Sequence, residues 1–368
     1  MPRAPKITRP TKKDISLLWD LYQYRVLTTE QIKRRYYAES KAYVNQKLYT
    51  MRKSGLIVSD TYPRPDRKGF AYHQITDTGI SLMKQYGYEC PVKADSLRIG
   101  KKMLPYIFET NEVMVQLTPY GWRMKDSRQI KHEYNLNRGD QIHGSLTADD
   151  GTEYGFYVLE ENTTAENILK VIQEIRTLSD RKPDEPRIQN FMIFAKGQGS
   201  IDHFINRANT EKRNHRDEIT QQKLRTSGSL SVMELTSGIK YLQSGFSDKT
   251  TFEHIIQSPE TPFKAIPFSG DQTPFQYKVM RKGEEMYLVN LINTDIMMTR
   301  AINHYAEDMN RAERFNEERY RVLVLTTPEM EHTVRQLMQG NPLVDYLKVG
   351  DKMIQNESWL RKKVPIVQ

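Results

Sequence analysis

Apolar residues recur at helical spacing three times near the start of the chain. Ile15, Leu18, Trp19, Leu21 and Tyr22 form one stripe, with Asp14 placed to cap it, and Ile32 and Tyr36 mark a short second helix opened by Thr28 or Thr29. Val44, Leu48 and Met51 make one face of a third helix from about Lys41 to Lys53, which Gly55 ends as a left-handed cap. The period then changes to two: "LIVSDTY" and "FAYHQIT" alternate as strands around the loop "PRPDRKG".

Farther along, "ETNEVMVQL" reads as a helix, and from Tyr154 the order is strand, helix, strand: "YGFYVLE", "TTAENILKVIQEIRTL", "FMIFAKG". Thr163 and Glu166 fit a capping box, and Ile168, Leu169, Ile172 and Ile175 form the stripe to be buried. A chain of 368 residues holds two or three cores. The pattern predicts an α+β or α/β protein with a helix-turn-helix and basic hairpin over residues 1–98, an α/β domain over 99–250 and a further α/β unit over 251–368.

The last unit looks like a degenerate copy of the middle one. "RGDQIHGSL" and "FSGDQTPFQ" share Gly-Asp-Gln, so Asp140 matches Asp271, and the same offset sets "EMYLVNL" on "YGFYVLE" and "VLVLTTP" on "FMIFAKG". In this register Glu160 falls on Leu291.

Charge sharpens the first third. The net charge is +9, and the first 104 residues carry more than twice as many basic as acidic side chains, leaving the remainder slightly acidic. Lys41, Tyr43, Asn45, Gln46, Lys47 and Arg52 fall off the apolar face of the third helix, and Arg64, Arg67 and Lys68 sit at the hairpin tip. Helix, strand, basic loop, strand in this order resembles a winged-helix DNA-binding domain, with "LTTEQI", "MRKSGLI" and "ITDTGISLM" in its cadence. The resemblance implies base-edge reading by the third helix and phosphate contacts from the loop. The charged stretch over residues 206–228 reads as an exposed helix or loop, with Lys212, Arg213, Arg216 and Arg225 as a secondary DNA contact in the sharper alternative.

The middle unit carries candidate chemistry. Asp140 heads one strand, Glu160 ends the next, and Asn162 follows two residues later on the same face. Converging carboxylates are donors for Mg²⁺ or Mn²⁺, and this order resembles the restriction-endonuclease-like pattern of Asp, then Glu, any residue, Lys. Asn162 stands where that pattern has Lys, a charge for Lys170 or another group to supply, and Glu112 is the candidate further acid.

The combined order, from the winged helix through "YGWRMKD" to "FYVLEENTTAENILKVIQEI", is similar to the replication-relaxation family of plasmids and mobile elements and to C-type mobilisation relaxases. Arg138-Gly139-Asp140 matches that family's Arg-Pro-Asp, and Glu160-Glu161-Asn162 its Glu, any residue, Asp. The resemblance implies a protein that binds double-stranded DNA at an origin of transfer or replication and either nicks it, with a metal at Asp140 and Glu160, or organises it there. The alternatives are a non-catalytic accessory protein needing no cofactor and a winged-helix transcriptional regulator, with homodimerisation open in each.

The remaining features narrow the classes. No Gly-rich phosphate loop appears, which argues against nucleotide hydrolysis, and no His-hydrophobe-His or ligand-spaced histidines point to zinc or to the commoner relaxases. The lone Cys90, the absence of a long apolar run and the polar start predict a reducing cytoplasm and no membrane. With 21 tyrosines and no signature around any, no nucleophile is chosen.

Overall fold

The computed structural model describes residues 9–37, 41–64, 67–213, 219–244, 264–267, 275–312 and 320–350. It is a mixed α+β protein whose chain divides after Gly121 into two compact units. The second copy of Gly-Asp-Gln around Asp271, and Arg216, lie outside the described residues.

In the first unit, α1 (Lys12–Tyr24), β1 (Leu27–Thr28), α2 (Thr29–Tyr36), α3 (Lys41–Lys53), β2 (Ile57–Arg64), β3 (Arg67–Ile75) and α4 (Asp77–Gln85) follow in turn. The cap of α1 is Thr11 rather than Asp14, which sits three residues on and closes a reciprocal capping box. Thr28 and Gln31 do the same for α2. The strands form an antiparallel sheet in the order β1-β3-β2. Its register shifts between Tyr62 and Arg64, where Pro63 has no N–H to give the ladder.

Leu17, Leu18, Leu21, Ile32, Val44, Leu48, Met51, Ile57 and Ile75 close one core. Gly55 takes φ 73 at the end of α3, and a Cβ on Gly79 of α4 would meet the Leu56 carbonyl at 2.4 Å, so that helix can lie this close only with glycine there.

The unit does not end near residue 98. After α5 (Ala94–Leu97), α6 (Leu104–Leu117) packs back on its helices: Asn111 donates to the carbonyls of Tyr24 and Val26, and Gln31 to that of Phe108, 2.9 Å away. The Asn111 bonds satisfy backbone groups left over at the α1–β1 corner and the Gln31 bond ties α2 to α6, so residues 99–121 belong here and not with the middle domain.

The second unit holds two five-stranded sheets, with a small two-stranded ribbon, β8 (Lys212–Arg213) and β9 (Ile219–Gln221). The first sheet is built from β4 (Arg123–Asp126), β5 (Gly144–Thr147), β6 (Glu153–Leu159), β7 (Asn190–Ala195) and β10 (Leu230–Glu234). Its helices are α7 (Ser127–Glu133), α8 (Ala165–Ser179), α9 (Gln198–Asn209) and α10 (Leu235–Gln243). The second sheet contains β11 (Lys264–Pro267), β12 (Tyr277–Arg281), β13 (Glu284–Asn290), β14 (Arg321–Thr326) and β15 (Val344–Lys348), with α11 (Ile296–Ala312) and α12 (Glu331–Leu337) as crossovers.

Both sheets use one connection pattern: two antiparallel pairings, then a parallel pairing across a helix, then another. The two sheets share this strand order, but a single constant offset does not superpose their registers. Ile193 pairs with Tyr157, whereas Val324, which is 131 residues after Ile193, pairs with Val289, which is 132 after Tyr157. Tyr157 and Val289 both face the same core, and a one-residue error would turn every strand residue to the other side of the sheet. Leu291 therefore matches Leu159, not Glu160.

The two sheets are not separate domains. One continuous core takes Tyr157, Ile172, Phe191 and Phe204 from the first and Tyr287, Val289, Ile302 and Val324 from the second. Edge strand β10 also reaches across, with the amides of Leu230 and Val232 donating to Asp295 and to the Asn293 carbonyl.

Candidate nucleic-acid interface and acidic residues

The third helix divides its side chains as an amphipathic helix must. Val44, Leu48 and Met51 are buried, while Tyr43, Asn45, Gln46, Tyr49, Arg52 and Lys53 are exposed. Asn45, Tyr49 and Arg52 are four and three residues apart and so follow one ridge. The Arg52 guanidinium is 5.6 Å and the Lys53 ammonium 5.7 Å from the centre of the Tyr49 ring. Tyr49 and Lys53 were absent from the sequence expectation; what marks them is their position on the ridge opposite Leu48 and Met51.

Lys47 does not share this exposure. Its ammonium lies 2.7 Å from Asp14, a carboxylate with no solvent exposure, and so ties α3 to α1. Its charge is committed inside the unit. Tyr43 rests 5.5 Å from the Tyr37 ring. The side chains of Lys41 and Arg67 lie outside the described ones. At the hairpin end Arg64 and Lys68 are exposed, with the Arg64 guanidinium 4.7 Å over the Phe70 ring.

Behind the helices sits a buried polar network. Asp20 pairs with Arg35 at 2.5 Å and accepts the Tyr36 hydroxyl, and Arg35 reaches Thr118 and the Val115 carbonyl of α6. Burial raises the Asp20 carboxyl, opposed by the Arg35 charge. His73 lies between the hydroxyls of Thr29 and Ser59 at 2.9 and 2.8 Å, and burial pushes its pKa down to about 4, so it stays neutral and joins α2, β2 and β3.

The three expected acids are held in three different settings. Glu112, in α6 of the first unit, pairs with Arg34 and accepts from Gln31 and Gln116. Asp140 does not head a strand. It precedes β5 in a turn, where its carboxylate accepts the Asn137 amide at 2.7 Å. Glu160 follows directly after β6, and its partner is Lys196, the residue after parallel β7, 3.2 Å away. Asn162 belongs to the turn after the strand rather than to its face, and Glu161 is exposed beside Gly197.

Lys170, the expected migrating charge, pairs with Glu166 at 2.9 Å, and α8 is capped by Thr164 instead of Thr163. Among the described residues no group of three or more His, Cys, Asp or Glu side chains is arranged to hold a metal ion. In the second sheet the strand end is apolar, with Leu291 and Ile292 buried and Thr327 where β7 continues to Lys196.

A different carboxylate has the perturbed environment. Glu174 of α8 accepts the Gln141 amide at 2.6 Å, and burial, opposed by that bond and reinforced by the Asp140 charge, pushes its pKa up to about 7. His143 is buried beside this segment, its Nδ1 facing the Val158 amide, and burial pushes its pKa down to about 3. Sequence patterning marks neither residue, because a polar position on α8 looks solvent-facing until Gln141 is laid against it.

The second unit also contains a polar cavity of about 260 Å³ between α9, α11 and α12, with Asp202, Asn206, Arg300, Asn303 and Gln336 on its walls. Arg300 donates to Asn209 and to the carbonyls of Leu224 and Ala208, and burial, with the Arg225 charge, lowers its pKa to about 10. Arg225 itself is exposed. No helix among the described residues is long and apolar enough to cross a membrane. Comparison with protein-family models, with curated proteins and with solved structures finds no match for this chain.

Proposed function

We propose that this protein is a sequence-specific binder of double-stranded DNA whose first unit is a winged helix. The observation that carries the reading is the pairing of topology with exposure. Three helices followed by an antiparallel hairpin in a β1-β3-β2 sheet support this reading, and α3, which would take the recognition position, turns Asn45, Gln46, Tyr49 and Arg52 outward. Asn and Gln match adenine edges, and Arg matches guanine. Arg64 and Lys68 supply phosphate contacts from the hairpin, and an origin on a plasmid or mobile element is the proposed target, resting on the family resemblance.

In this reading the second unit is a duplicated restriction-endonuclease-like scaffold that serves as architecture. Supporting that, Asp140 is engaged in its own turn and Glu160 with a lysine. The rival reading, a metal-dependent relaxase, is favoured by Lys196, which brings to Glu160 the positive charge missing at Asn162.

Selection of bound duplexes from a randomised pool, followed by incubation of the enriched supercoiled DNA with the protein in Mg²⁺, Mn²⁺ or EDTA, tests both. A defined enriched motif without nicking is the expected result. Nicking that is lost in Glu160→Ala and Lys196→Ala establishes the relaxase reading, and no enriched motif sinks the DNA-binding one.

A further inference from the structure

The segment between the hairpin and α6 has no role in the reading above. Residues 98–108 fold across the outer face of the β2–β3 hairpin, where Ile99, Leu104, Ile107 and Phe108 pack with Tyr62, Phe70 and Tyr72. The Phe108 ring stands 5.2, 5.6 and 5.7 Å from those of Phe70, Tyr62 and Tyr72. Arg98 donates to Gln74 at 3.2 Å. The segment is therefore fixed to the hairpin by an aromatic core, not draped over it as a linker.

What this fixing displays is positive charge. Lys101 and Lys102 are exposed, and no acidic residue occurs between Asp95 and Glu109. Strand alternation puts Lys68 on the face that carries Phe70 and Tyr72, and Arg64 lies over the Phe70 ring on that same face. Lys101 acts on Asp60 in mid-strand. Asp60 to Arg64 is four strand residues, roughly 13 Å, a distance that spans several successive charges of one DNA strand.

We propose that Lys101 and Lys102, together with Lys68 and Arg64 on the outer face of the hairpin, form a second phosphate-binding track that follows one DNA strand beyond the hairpin tip. The inference rests on the DNA-binding reading and extends it. Lysine ammoniums are point charges on long stems without the bidentate geometry that reads a base, so this track supplies affinity and orientation without sequence preference. Asp60 offsets part of the charge.

The test is fluorescence-anisotropy titration of the full chain against its selected duplex and a scrambled duplex of equal length over a series of KCl concentrations. Lys101→Ala/Lys102→Ala is expected to reduce the slope of log affinity against log salt by about 1 to 2, at roughly 0.9 per phosphate contact, equally for both duplexes. The melting temperature should not change, and Lys101→Arg/Lys102→Arg should keep the wild-type slope. A double-alanine slope equal to wild type overturns the track while leaving the DNA reading intact. Absence of salt-sensitive binding by the wild-type chain overturns both.

Discussion

The Lys47 ammonium lies 2.7 Å from Asp14, whose carboxylate has no exposure to solvent. Residue type alone assigns Lys47 to a DNA contact, yet its charge is the counter-ion of a carboxylate in the first helix. Removing one member of a buried pair leaves the other uncompensated, which typically costs about 3–5 kcal/mol. Lys47→Met should therefore lower the unfolding midpoint of the first unit in urea, and Asp14→Asn/Lys47→Met should recover much of the loss. A single variant with wild-type stability would show that the pair does not hold α3 on α1.

The exposed ridge of the same helix should behave in the opposite way. Asn45→Ala and Arg52→Ala are each expected to weaken the selected duplex by about 1–3 kcal/mol and relax preference at one base position, with unchanged melting temperature. Tyr49→Ala should weaken binding too, because Arg52 and Lys53 lose the ring they flank. Binding constants measured beside thermal melts separate the two classes of residue.

A fragment of residues 1–121 should fold cooperatively by itself, and a fragment of residues 1–98 should not. The longer piece keeps α6 and with it the Asn111 and Gln31 bonds and the aromatic cover of the hairpin. The shorter one exposes Tyr62, Phe70 and Tyr72. Circular dichroism through a thermal melt decides it, and equal cooperativity of the two fragments would refute the placement of the boundary at Gly121.

Glu174 supplies a pH dependence. Burial, against the Gln141 amide and helped by the Asp140 charge, raises its folded-state pKa to about 7 from 4.5. The native chain then binds more protons than the unfolded one, so this contribution is complete below about pH 4.5 and is lost as pH rises toward 7. The full loss is at most ~3 kcal/mol, and closer to ~1–2 after screening, because the side chain is partly exposed. Urea unfolding of wild type and Glu174→Gln from pH 4.5 to 8 should give a difference that grows with pH in favour of the variant. A constant difference would remove Glu174 as its source.

Much of the local structure was legible because it depends on near neighbours in sequence. Helical stripes, the change to period two after Gly55, and α3 from Lys41 to Lys53 all follow from spacing, and so does the strand-helix-strand order shared by the two sheets of the second unit. The caps moved by a residue or a few, Thr11 for Asp14 and Thr164 for Thr163, because several nearby polar residues can serve and only the chain's entry angle selects one.

The sequence by itself determined which elements form, which faces are apolar, and that basic charge gathers in the first third. The tertiary structure alone decided which charges remain available to a partner. Lys47 and Glu112 are paired within the first unit, Asp140 turns its carboxylate on its own loop, and Lys196 meets Glu160 because two parallel strands end side by side. Hydrophobic pattern acts over a few residues and is written locally. Charge pairing depends on distances between residues remote in the chain, and those exist only once the strands and helices have packed.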